Sequence, residues 1–106
     1  MTIEVTDAPE AKRFEARVDG KLAGYIQYQA RPEALVLVHT EVLDEFEGKG
    51  VGSVLVRRVL DDIRNSGGKI IPTCPFVAEY IRRHPEYIDV VAPAFRGAVS
   101  AETPND

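Results

Sequence analysis

The stretch Leu35-Val36-Leu37-Val38-His39-Thr40-Glu41-Val42, followed by Leu43-Asp44-Glu45-Phe46 and Glu47-Gly48-Lys49-Gly50-Val51-Gly52-Ser53, decides how the chain is read. Its first eight residues are β-prone and apolar on both faces at their start, as in a strand placed inside a sheet. The glycines mark a sharp turn. Beyond it Val51, Leu55, Val59 and Ile63 recur one helical turn apart, Val56 and Leu60 widen the stripe, and Arg57, Asp61 and Arg64 fall opposite. This spacing predicts an amphipathic helix with a broad buried face.

Upstream, Ile3 and Val5 start a short strand, and Phe14, Ala16 and Val18 alternate with Glu15, Arg17 and Asp19. That period of two is the pattern of a half-buried strand. Asp19-Gly20 suits a tight type I′ turn, because both residues tolerate positive φ. Leu22 to Tyr28 is the returning strand, and Arg31-Pro32-Glu33 turns into the central one. Downstream, Gly67-Gly68 ends the helix, since glycine accepts the left-handed conformation past a helix C-terminus. Lys69-Ile70-Ile71-Pro72 is a short strand, and Thr73-Cys74-Pro75 opens a second helix with Pro75 at its first position. Phe76, Tyr80 and either Ile81 or His84 share a face there, Pro85 stops the helix, and Tyr87 to Val91 reads as a last short strand. The expected fold is α/β, more narrowly α+β: an antiparallel meander of about four strands, then helix, strand, helix. Residues 1–96 form one domain and the polar, small residues 97–106 a flexible C-terminal tail.

The chain has 106 residues, enough for one core and not two. Its 44% hydrophobic and 28% charged residues exclude a wholly disordered chain. No apolar run approaches the roughly 20 residues that span a bilayer. Met1-Thr2-Ile3-Glu4 has neither the basic nor the apolar region of a signal peptide, so the expected location is cytoplasmic. The formal charge of -4 argues against nucleic acid as a partner. Cys74 is the single cysteine, which excludes a disulfide framework. With His39 and His84 it shows no metal-ligand spacing, so no metal is expected.

The strongest chemical signal is Gly48-Lys49-Gly50-Val51-Gly52 between strand and helix. Glycines remove Cβ atoms from the path of a ligand, and the helix N-terminus behind them offers unpaired N–H groups and the positive end of the dipole. Together they make an anion cradle, to which Lys49 adds a cation. The spacing fits neither the nucleoside-triphosphate P-loop nor the dinucleotide fingerprint. A glycine turn without chemistry is the plain alternative.

Over Leu35 to about Tyr87 the chain resembles the GNAT N-acetyltransferase superfamily, whose members transfer acetyl from acetyl-coenzyme A to an amine. The likeness rests on the strand ending Glu41-Val42, on Glu47-Gly48-Lys49-Gly50-Val51-Gly52-Ser53 opening a helix, and on the short strand and Tyr80-bearing helix that follow. The family pattern is Gln/Arg-x-x-Gly-x-Gly/Ala; Gly50 and Gly52 match it, and Glu47 replaces the usual side-chain donor. Val38-His39-Thr40-Glu41-Val42, Pro72-Thr73-Cys74-Pro75-Phe76-Val77 and Arg83-His84-Pro85-Glu86-Tyr87 look like a small, truncated branch lacking the helices that usually build the acceptor pocket. The resemblance implies that Val42 and residues 47–53 (Glu47, Gly48, Lys49, Gly50, Val51, Gly52, Ser53) bind acetyl-coenzyme A. It places the Val42 N–H near the thioester carbonyl, at a bulge where the central strand splays from Ile70-Ile71, and Tyr80 where a thiolate is protonated. An open acceptor side suits a protein or peptide amine.

Four residues are candidates for catalysis. Tyr80 is either that acid or a core tyrosine. Cys74, at the expected helix N-cap, is a buried spacer, a polar support or a nucleophile. His39 and Glu41 lie two apart on one strand, on the face expected to carry Leu35 and Leu37. They are bases for the amine, or a solvated pair. Three functions compete: an amine acetyltransferase acting by direct attack on the thioester, a non-catalytic acyl-coenzyme A-binding module, and a phosphate- or partner-binding domain unrelated to acyl transfer. The exposed meander edge leaves the choice between monomer and weak homodimer open.

Overall fold

A computed structural model describes residues 2–99. Five strands form one sheet in the order of the chain: β1 (Ile3–Ala8), β2 (Arg13–Val18), β3 (Lys21–Ala30), β4 (Leu35–Val42) and β5 (Ile70–Pro72). The first four are the expected antiparallel meander, and β5 joins β4 in parallel. The turn between β2 and β3 has positive φ at Asp19 (51°) and Gly20 (85°), as a type I′ turn requires.

Helix α1 (Val51–Asn65) follows β4, and α2 (Pro75–Arg83) follows β5 with Cys74 as N-cap and Pro75 at its first turn. The Gly68 N–H donates to Ile63 O and the Gly67 N–H to Arg64 O, the pair of bonds that closes a Schellman end. Val51, Leu55, Val56, Val59 and Leu60 of α1 are fully buried against Ala16, Ile26 and Leu37 of the sheet. Each such side chain contributes about 1.5–3 kcal/mol. The α2 face that packs into this core is Val77 and Ile81; Phe76, expected on the buried face, is exposed. Tyr87 fills the corner between the helices, where its hydroxyl donates to Asp61 Oδ1 at 2.7 Å.

Two further expectations are corrected. Tyr87 to Val91 is not a strand. Residues Pro85–Val90 wind into a 3-10 helix, and only Val91 makes an isolated bridge, to Ile70. Backbone carbonyls of this segment are held from outside by Arg64, Lys69 and Arg96, which favours a tight turn over an extended edge. Residues 97–99 of the expected tail belong to another 3-10 helix, Pro93–Val99, and Val99 is buried; residues 100–106 lie outside the described residues.

The fourth correction concerns β4. Tyr28 faces Leu37 while Gln27 faces His39, so Val38 is an extra residue, a β-bulge; the bulge that the resemblance implies at Val42 is therefore at Val38, and Val42 pairs with Gly24 in regular register. The bulge reverses the alternation. Leu37 and Thr40 lie on the helix side with their partners Tyr28 and Ile26. His39 and Glu41 pair with Gln27 and Tyr25 on the opposite face, not on the face of Leu35 and Leu37. That face carries two cross-sheet rows, Arg13–Gln27–His39 and Glu15–Tyr25–Glu41. Glu15 is buried there, with Arg13 Nε donating at 2.8 Å and Arg17 at 2.9 Å. Among the described residues, no helix is long and apolar enough to cross a membrane.

Candidate active site

The site begins where β4 and β5 part. Their pairing covers only Leu35–Leu37 with Ile70–Pro72. At its end the Leu37 carbonyl accepts from the Cys74 N–H and the Thr73 hydroxyl, both at 2.9 Å. Among the described residues, the β5-side edge of β4 has no strand partner from Val38 to Val42. On the other edge the Leu43 N–H donates to Ala23 O at 2.8 Å. Bonding alternates along a strand, so the neighbouring Val42 N–H turns toward the gap.

After β4 the chain makes a 3-10 turn, Asp44–Phe46, anchored by the buried Phe46, and enters the glycine loop. Gly48 (φ 80°) and Gly50 (φ 78°) are left-handed, and a Cβ built on either meets nothing within 4 Å. Glycine is therefore demanded by the backbone, and the space before it is open. Gly50 is the N-cap of α1, which has no side-chain cap and no acidic residue in its first turn. The first N–H groups and the positive dipole end are left for an external anion.

A cleft of about 400 Å³ lies in front. Its walls are Val42, Phe46, Glu47, Gly48, Gly50, the first α1 turn from Val51 to Ser53, and Phe76. Of the loop residues expected to hold a ligand, Lys49 alone does not line it. Glu47 sets a carboxylate on the wall, where the family pattern has a donor.

A second cleft of about 200 Å³ shares Ser53 and Phe76 with the first and adds Glu79, Tyr80, Arg83 and His84. Tyr80 stacks on His84 at a centroid distance of 4.1 Å, and His84 Nδ1 donates to the Tyr80 carbonyl at 2.8 Å. Burial pushes the Tyr80 phenol up from its ordinary pKa, against a smaller downward pull from Arg57. The phenol is thus a proton donor throughout the neutral range.

The other candidates stand apart from the clefts. Cys74 is buried, with Sγ 3.2 Å from Thr40 Oγ1, and lines neither cleft. His39 Nε2 lies 2.9 Å from Glu41 Oε1, both half-exposed on the open sheet face. Sequence reasoning missed Phe76. Its signal was available: Val77 and Ile81 already supply a core face for so short a helix, which leaves the preceding aromatic free to face outward.

A family model described as GCN5-related N-acetyl-transferase matches residues 13–90. The chain is similar to Protein NATD1 of Xenopus tropicalis, 25% identical over 96 residues that cover 87% of this chain and 88% of the relative. It is similar to Protein NATD1 of Mus musculus at 26% over 95 residues, 86% of each chain. Among solved structures, a GCN5-like protein from Staphylococcus aureus superposes with a TM-score of 0.63 at 26% identity, covering 84% of this chain and 87% of that one. Ribosomal-protein-alanine N-acetyltransferase from Brucella melitensis biovar Abortus 2308 superposes with a TM-score of 0.53 at 28% identity, covering 76% of this chain and 60% of that one.

Proposed function

The chain belongs to the GCN5-related N-acetyltransferase family, and from that premise we propose that it transfers an acetyl group from acetyl-coenzyme A to an amine by direct attack on the thioester. The observation that carries this reading is the continuity of the uncapped α1 N-terminus, the open glycine loop and the Val42 edge along one cleft. The residues present fit the coenzyme: backbone N–H groups of residues 48–53 receive the pyrophosphate, and the β4–β5 gap takes the pantetheine arm as an extra strand would be taken.

The chemistry then divides among residues already placed. The Val42 N–H polarises the thioester carbonyl. The amine nitrogen forms the new C–N bond, the C–S bond breaks, and the departing thiolate takes the Tyr80 phenolic proton. The proton lost from the amine goes to the His39–Glu41 pair, directly or through water. The pair lies on the open sheet face, outside both clefts, and its exposure there supports access of an acceptor from that side. Cys74, bonded to Thr40 beneath the gap, supports the end of β4. The open face suits a protein or peptide amine, and one similar structure is named for action on ribosomal-protein alanine.

Glu47 favours a second reading, an acyl-coenzyme A-binding module without turnover, because its carboxylate opposes a bound pyrophosphate. Incubation with acetyl-coenzyme A and a panel of peptide N-termini, lysine peptides and polyamines separates the two. Release of free thiol that depends on an acceptor supports the transferase. Saturable coenzyme binding with no acceptor-dependent thiol supports the module.

A further inference from the structure

We propose that His84 is the positioning residue for Tyr80, holding the phenol in the orientation from which it protonates the departing thiolate; the inference rests on the transferase reading. A proton donor on a side chain serves a reaction only while its ring is kept in the productive rotamer. Among the described residues, the Tyr28 hydroxyl is tied to Asp7 and the Tyr87 hydroxyl to Asp61, while that of Tyr80 is tied to no side chain. The free hydroxyl keeps its proton for the thiolate. It also leaves the direction of the ring to packing alone. The charged groups nearby do not tether it. Glu79 and Arg83 of the same cleft pair with each other at 2.8 Å, and Arg57, Asp61 and Glu86 act on the phenol only through their charge.

Two rings set that packing. Tyr87 is the buried one, 6.0 Å from Tyr80 between centroids and tilted by 47°, fixed by its bond to Asp61 and by Arg64 over its face. His84 is the closer one, stacked at 4.1 Å with only 18° between the planes. The backbone explains why the imidazole lies there. Pro85 disfavours the helical conformation for the residue before it, so α2 ends at His84 with φ -129° and ψ 71°. The His84 N–H still donates to the Tyr80 carbonyl at 2.9 Å, and Nδ1–H donates to the same carbonyl at 2.8 Å. The imidazole is thus folded back over the last turn, ring on ring, and fixed by a hydrogen bond of its own. Removing it opens other χ1 wells to the Tyr80 ring. The phenol then faces the sulfur for only part of the time, and transfer slows in proportion.

The test is steady-state transfer from acetyl-coenzyme A to whichever amine of the panel releases thiol fastest, in the wild type, His84→Ala, His84→Phe and His84→Asn. Phenylalanine keeps a ring to stack and loses the bond to the Tyr80 carbonyl. Asparagine keeps a side-chain donor for that carbonyl and loses the ring. His84→Ala and His84→Asn should lower kcat about three- to tenfold, the range one aromatic pair supports, with KM for acetyl-coenzyme A within about twofold. His84→Phe should return kcat to within about twofold of the wild type. In a Tyr80→Phe background, adding His84→Ala should slow transfer no further, because the imidazole acts through the phenol. Rescue by asparagine and not by phenylalanine overturns the proposal, since it makes His84 only the end of a helix. So does an unchanged kcat in His84→Ala and His84→Asn, or additive losses in the double variant. If the alanine variant fails to fold, the comparison of phenylalanine with asparagine decides. If no amine of the panel releases thiol from the wild type, the transferase reading itself fails and this inference falls with it. If the wild type turns over and Tyr80→Phe is as fast, the acid assignment fails and takes the inference with it; if Tyr80→Phe is slow, the results at position 84 judge His84 alone.

Discussion

Gly52→Ala isolates the contact between the glycine loop and α2. Gly52 lies in the first turn of α1 at an ordinary helical φ, so alanine carries no backbone penalty there. Replacing glycine by alanine in a helix is worth about 1 kcal/mol. Against this, the new Cβ would stand 2.7 Å from Phe76 Cζ, where ordinary contact begins at 3.4 Å. The ring must give by several tenths of an ångström. It is the far end of a flexible side chain and is half-exposed, so the displacement costs about 0.5–1.5 kcal/mol of rotamer strain. The two terms nearly cancel, and the expected change in stability is within about 1 kcal/mol of zero. Urea unfolding followed by circular dichroism reads it. Phe76 ring resonances should move while those of Ile81 stay. A loss above about 2 kcal/mol would refute the reasoning, because it requires Phe76 to be locked like a core residue.

Gly50→Ala should behave oppositely. Its Cβ meets nothing, yet the left-handed φ of 78° costs about 1–2 kcal/mol, measurable as a lower urea midpoint. Tyr80→Phe should slow acetyl transfer by about 10²-fold with coenzyme A affinity unchanged. The wild-type rate should lose its phenol-dependent part only above the ordinary tyrosine pKa of 10.0, since burial raises it; steady-state kinetics across pH check both. Glu15 makes an acid-sensitive contribution to stability. The hydrogen bond from Arg13 leads in holding its carboxyl below the ordinary 4.5, with Arg17 adding to it against the cost of burial. Its stabilisation is present at neutral pH and is lost as pH falls through that lowered value, below 4.5. Glu15→Gln should cost about 1–2 kcal/mol at pH 7 and flatten this acid limb of the urea midpoint against pH.

The parts of the fold that were legible carry local chemistry. Asp19-Gly20 states its turn and Gly67 a helix end because these positions take positive φ, and Pro75 states a first turn because its missing N–H is tolerated only there in a helix. The glycine loop was legible for the same reason. The bulge at Val38 has no residue-type mark. Any residue serves as the extra one, and its effect is on parity, so His39 and Glu41 were assigned to the wrong face although their strand was right. Tyr87 to Val91 misled through its β-branched residues; Lys69 and Arg96 bind its carbonyls and Arg64 that of the preceding Glu86, a tertiary effect that overrides propensity. The spacing of Val77 and Ile81 marks Phe76 as outward-facing, but what it faces depends on where α2 meets α1, which no spacing within α2 records.

The central claim is that one cleft, from Val42 to the first turn of α1, receives acetyl-coenzyme A. Amide NMR of the protein titrated with acetyl-coenzyme A tests it directly. The account predicts saturable shifts at Val42 and residues 48–53, with Thr6 and the rest of β1 unmoved. Absence of saturable shifts, or shifts confined to other parts of the sheet, would contradict it.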